Sequence, residues 1–211
     1  MANKFQHPLS ELEQYLPANC WQFVVDYLNY HKVHLTITKQ RKSILGDYRK
    51  NGFLGTHKIS INGNLNKYSF LITLLHELAH LITFEKVGFK VQAHGKEWKK
   101  NYAHLLEEFL AKEIFPKDVH NELVKTLNNP SASSCAEVSL IRVLKNYDVI
   151  KKSSFFVEEL KENELFITDN GRIFRKESTI RKRIRCVEIK TGKMYLFSPV
   201  CEVDIINKMK D

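Results

Sequence analysis

Apolar side chains crowd the segment 67–86. Phe70, Leu71, Leu74, Leu75, Leu78, Leu81 and Ile82 cover most of a helical cylinder rather than one stripe. A stripe marks a surface helix, whereas coverage all round predicts a buried one. Gly88 is placed to close it. Upstream, Trp21, Val24, Val25 and Leu28 recur at helical spacing within 8–30, a stretch that Pro17 divides in two. Val33, Leu35 and Ile37 alternate with His34, Thr36 and Thr38, as in a half-buried strand, and 57–62 alternates again. Between them Gly46, Gly52 and Gly55 read as turn or loop.

Beyond Gly95 a second helix is expected through Leu110, followed by an amphipathic stretch at 117–127. Asn128-Asn129-Pro130-Ser131-Ala132-Ser133-Ser134 reads as a linker, with a further helix at about 135–146. From 164 the pattern changes to strand–turn–strand. Asn170-Gly171 and Thr191-Gly192 are hairpin signals. The expected division is 1–128, a linker and helix at 129–150, and a β-rich unit at 151–211. The expected fold class is α+β, with helices packed on a small antiparallel sheet.

At 211 residues the chain can bury a core without covalent staples. No apolar run has the length of a membrane span, and no signal-peptide core follows the N-terminus. Cys20, Cys135, Cys186 and Cys201 form no C-x-x-C pair, which argues against a disulfide scaffold or a four-cysteine zinc ribbon. A reducing, cytoplasmic setting with no membrane partner is expected. The net charge of +9 is compatible with a polyanionic partner.

The buried-helix pattern carries His76-Glu77-Leu78-Ala79-His80, an H-E-x-x-H sequence. Residues four apart leave the same helix face one turn apart. His76 and His80 can therefore ligate one Zn²⁺, with Glu77 placed as the general base. Ionisable groups inside an apolar helix cost free energy unless something satisfies them, and a metal does so. A catalytic zinc needs a third protein ligand. Glu85, His94, Glu97, His104, Glu107 and Glu108 are candidates. His94 precedes Gly95 at a helix start, but His104 competes.

Ile59-Ser60-Ile61-Asn62, then Leu74-Leu75-His76-Glu77-Leu78-Ala79-His80, then His94-Gly95-Lys96-Glu97-Trp98 together resemble the SprT-like metalloprotease family. That family includes bacterial SprT proteins and the Spartan proteases of DNA–protein crosslinks. The resemblance covers about residues 15–112. It implies a zincin-like fold, one catalytic Zn²⁺ on His76, His80 and His94, and Glu77 as catalytic base. It further implies zinc-dependent hydrolysis of peptide bonds in a protein substrate, with DNA-bound or DNA-crosslinked proteins as the class of target. Behind residue 128 the chain departs from the family, because the paired cysteines of its C-terminal zinc ribbon are missing. A degenerate, ribbon-like β unit is expected there. In such proteases an edge strand can hold an extended substrate, and 57–62 is one candidate. Tyr102 and His104 lie near enough in sequence to steady an oxyanion, although packing or surface roles suit them better.

Residues 165–193 hold nine Lys and Arg against three Asp and Glu. Arg172, Arg175, Lys176, Arg181, Lys182, Arg183 and Arg185 are the candidate nucleic-acid contacts. Alternation would put Arg181, Arg183 and Arg185 on one strand face, with Phe166 and Phe174 as candidate stacking residues. The competing functional class is a zinc-stabilised nucleic-acid-binding module with little or no proteolysis. The intact Glu77 favours the enzyme.

Overall fold

The computed structural model describes residues 9–41, 43–50, 56–88, 90–131, 137–149 and 154–206. The fold class is α+β. The chain forms two compact units, residues 1–148 and 149–211.

The first unit is organised around one helix. After a 3₁₀ turn at Leu9–Tyr15 come α1 (Trp21–Tyr30), β1 (Val33–Thr38), β2 (Gly46–Lys50), β3 (His57–Asn62) and α2 (Lys67–Val87). Then follow α3 (Lys96–Leu110), α4 (Lys117–Thr126) and α5 (Val138–Lys145). Every residue of α2 from Ser69 to Ala79 is buried. Each fully buried Leu or Phe of that run contributes about 1.5–3 kcal/mol, so tertiary packing holds this helix. Asn66 caps its start, its side chain accepting from the Ser69 N–H at 2.9 Å. Gly88, at φ +70°, ends it, a conformation in which a side chain would be strained.

The strand pattern is only partly as expected. Of the stretch 46–55, read as turn or loop from Gly46, Gly52 and Gly55, Gly46–Lys50 is strand β2, and 51–55 lie outside the described residues. The sheet order is β1-β3-β2. β3 pairs antiparallel with β2 but parallel with β1, so the small sheet is mixed rather than antiparallel. The physical reason is burial. β3 places Ile59 and Ile61 at 1% exposure or less and so takes the middle, between β1 and β2, where both edges are paired. The 57–62 strand is therefore interior, and among the described residues β2 is an edge.

The helix expected at about 135–146 is α5, Val138–Lys145. Its Leu140 and Leu144 belong to the first unit's core, and Asn66 donates from its Nδ2 to Leu144 O and Asp148 Oδ1.

The second unit is a six-stranded antiparallel sheet ordered β4-β9-β5-β6-β7-β8. Its strands are β4 (Phe155–Phe156), β5 (Leu165–Ile167), β6 (Ile173–Ile180), β7 (Arg183–Glu188), β8 (Met194–Phe197) and β9 (Glu202–Ile205). Both hairpin signals fall between paired strands, with Gly171 and Gly192 at positive φ. The unit has its own core, including Val157, Leu160, Phe166, Phe174, Ile184, Cys186 and Val203. Among the described residues no helix is long and apolar enough to cross a membrane.

Candidate metal centre

His76 and Glu77 lie mid-way along α2, 4% and 6% exposed. His80 follows one turn later on the same face. The turn at 92–95, closed by the Gly95 N–H to Gln92 O bond, returns the chain to this face and opens α3. It brings His94 onto the other two histidines: one ligand nitrogen from each of His76, His80 and His94 falls within 4.8 Å of the others. Trp98, fully buried one turn into α3, backs all three imidazoles, with ring centroids 4.7 Å from His76, 5.3 Å from His80 and 4.7 Å from His94. Tyr102 stacks behind Trp98 at 4.9 Å.

The donor set fits a divalent ion. His76 Nε2 and His94 Nε2 stand 3.3 Å apart. Two nitrogens each ~2.0–2.1 Å from one tetrahedral zinc would be roughly 3.3–3.4 Å apart. Burial, with His80 and His94 adding to it, lowers the His76 pKa to about 3; burial, then His94, lowers that of His80 to about 4. Neutral imidazole is the form with a lone pair to give. Three histidines also accept other divalent ions, so the donor set does not name the metal.

Glu77 is driven the opposite way. Burial first, then Asp47, raises its pKa to about 8, opposed by the Arg41 charge and by a hydrogen bond from the Tyr48 backbone N–H. Histidines and carboxylate open onto a cleft of ≈ 710 Å³. One wall is α2 from His76 onward with Gly88 at its end; the others are 43–48, including Gly46, Asp47 and Tyr48 of β2, and 91–94.

A family model matches residues 13–120, just over half of the chain, and its description is the SprT-like family. The chain belongs to the SprT-like family. Its SprT-like span is a metallopeptidase-like domain and contains every residue of the centre. No curated protein and no solved structure matches the chain.

The remaining candidates for third ligand in this SprT-like chain are engaged elsewhere or face solvent. Glu85 lies between His31 Nδ1, at 2.7 Å, and His57 Nε2, at 3.4 Å. His104 is exposed and pairs with Glu108 at 3.1 Å; Glu97 and Glu107 are exposed. Tyr102 packs behind the imidazoles.

The basic residues of the second unit do not form one face. Lys176 is buried, 8% exposed, its Nζ donating to the Glu158 and Leu160 carbonyls. Its ammonium, expected at phosphate, is turned onto the carbonyls of the 157–160 turn instead. Arg172 donates to Glu188 at 2.7 Å and lies over the Phe174 and Tyr195 rings. Arg175 and Arg185 both pair with Glu177. Arg181 sits in the β6–β7 turn at φ +55° rather than on a strand, so only Arg183 and Arg185 alternate along β7. Arg181, Lys182 and Arg183 are exposed together at that turn. Phe166 and Phe174 are core residues stacked at 5.6 Å, not surface platforms.

Sequence reasoning missed β2. Gly46, Gly52 and Gly55 gave 46–55 the look of a loop, and nothing in the local pattern pointed to Glu77.

Proposed function

We propose that this SprT-like chain is a zinc-dependent endopeptidase, with His76, His80 and His94 holding the ion and Glu77 as catalytic base. The reading is carried by the convergence of three imidazole nitrogens beside a buried carboxylate at the head of an open cleft. A structural zinc has no use for the carboxylate.

Bound there, the ion supplies Lewis acidity, polarising a carbonyl and making water a stronger acid. The chain's residues do the rest. Glu77 takes a proton from the water that attacks the scissile carbonyl and passes it to the departing amine. Trp98 and Tyr102 form the dry wall that holds the imidazoles in place. β2, which among the described residues has a strand neighbour on one side only, offers its outer edge to an extended peptide.

The proposed targets are proteins bound or crosslinked to DNA. The exposed Arg181-Lys182-Arg183 turn is the proposed phosphate contact. The test is proteolysis of a basic DNA-binding protein by the zinc-loaded chain, with and without single-stranded DNA, against Glu77→Gln. Cleavage by wild type alone supports the peptidase, and its dependence on DNA decides the partner. Absence of cleavage by fully metallated protein, with salt-sensitive DNA binding retained, favours a zinc-stabilised binding module.

A further inference from the structure

Glu77 leans on bare backbone. A Cβ built on Gly46 would stand 2.7 Å from Glu77 Oε1, 2.9 Å from Glu77 Cγ and 2.7 Å from Thr73 Cγ2. All three lie below the 3.0 Å that real Cβ atoms essentially never breach. Two residues on, the Tyr48 N–H donates to the same carboxylate. β2 thus both makes room for the Glu77 side chain and fastens it.

The approach to β2 is pinned in turn by Arg41. Its guanidinium donates to Asn62 Oδ1 at 2.8 Å, Ser60 Oγ at 2.9 Å, Ser60 O at 3.1 Å and Leu45 O at 3.3 Å. Asn62, 1% exposed, answers from its Nδ2 to Arg41 O at 3.2 Å and Ile44 O at 3.0 Å, and from its backbone N–H to Leu45 O at 2.9 Å. Arg41 and Asn62 together lock Arg41, Ile44 and Leu45 onto the end of β3, immediately before Gly46. A planar fork with several fixed acceptors is a geometry that a lysine cannot reproduce.

We propose that Gly46 and Arg41 are positioning residues for Glu77. Gly46 lets the carboxylate lie against β2 and take the Tyr48 amide; Arg41 fixes the segment that delivers that backbone. With one lobe held, the carboxylate has one direction left in which to meet a proton, which is the preorganisation a base in a cleft needs. The inference rests on Glu77 being the base.

Gly63 supplies a matched control. A Cβ there would meet Ile37 Cγ2 at 2.7 Å, just as tight, but with no atom of Glu77 within 4 Å among its three nearest. Gly46→Ala, Gly63→Ala and Arg41→Lys are compared in the full chain. The readouts are melting temperature, zinc affinity by chelator competition, kcat and KM on one quenched-fluorescence peptide, and the Tyr48 amide resonance. Gly46→Ala is expected to lower kcat about 100-fold, the scale of a 1 Å misplacement, with KM and zinc affinity within about threefold. Its Tyr48 amide should shift toward the position seen in Glu77→Gln. Arg41→Lys should lower kcat about tenfold, and Gly63→Ala should leave it near wild type.

If Gly46→Ala does not fold, Gly46→Ala with Thr73→Ser removes the Cγ2 contact and carries the same expectation. Unchanged kcat in Gly46→Ala, equal losses in the two glycine variants, or an unmoved Tyr48 amide would overturn the proposal. If the wild type hydrolyses nothing, the peptidase reading fails by itself. The held carboxylate then stands or falls on the Tyr48 resonance, which needs no turnover.

Discussion

Single residues decide the chemistry of the centre. Glu77→Gln keeps the shape and burial of the side chain but removes its capacity to carry a proton. Hydrolysis should fall by about 10²–10⁴, while zinc stoichiometry by atomic absorption stays at the wild-type value. His94→Ala removes the Nε2 that stands 3.3 Å from that of His76 and, on the proposed ligand set, should abolish stoichiometric zinc binding. Trp98→Phe retains an aromatic wall but changes its contact with all three imidazoles, and zinc affinity should fall about tenfold, the lower range for residues that orient ligands. At this scale part of the site was legible. Helical spacing puts His76 and His80 on one face whatever the rest of the chain does. Spacing could not choose among Glu85, His94, Glu97, His104, Glu107 and Glu108, because that choice depends on how the chain turns after Gly88. The resemblance to the SprT-like pattern singled out His94, and the turn at 92–95 is what brings it beside the other two.

Elements were legible where periodicity is long and obscure where it is short. α2 follows from twenty residues of apolar pattern and the glycine after it. β2 is five residues long with a glycine at its head, too little to outweigh a loop-like composition. The parallel pairing of β1 with β3 was equally hidden, since alternation reports which face is buried but not which neighbour lies alongside. One element-scale prediction concerns Asn66, which caps α2 and ties it to the end of α5. Asn66→Ala should lower unfolding free energy by about 1–2 kcal/mol for the cap, read as a lower denaturation midpoint. It should also release α5, seen as faster amide exchange across 138–145.

Over the whole molecule, the second unit has its own electrostatics. The Arg172 guanidinium, followed by the Thr191 hydroxyl, holds the Glu188 carboxyl down at about 2. A folded-state pKa below the usual carboxylate value gives stability that is complete above about pH 4.5 and lost as pH falls toward 2. Arg172→Met keeps an apolar stem over Phe174 and Tyr195 but removes the charge. It should move acid unfolding of the 154–206 sheet to higher pH, followed through its own amide resonances. For the exposed turn, replacing Arg181, Lys182 and Arg183 with Ala should weaken DNA binding uniformly across sequences. If all three meet phosphate, the slope of log K against log salt should become shallower by roughly two on single strands.

By itself, the sequence determined that α1, α2 and α3 are helical and β1 and β3 extended, that α2 is buried, that its two histidines share a face with a glutamate between them, and that a β-rich unit follows. These are local properties, set by side-chain periodicity and turn chemistry within a few residues. Only the tertiary structure decided that β3 lies inside the sheet and β2 at its edge. The same holds for the use of Lys176 by the 157–160 carbonyls and for the contact of Glu77 with Gly46, 31 residues earlier in the chain. Each of these is a contact between segments far apart along the backbone. Such contacts are set by how buried faces fill one core, and no local pattern records them.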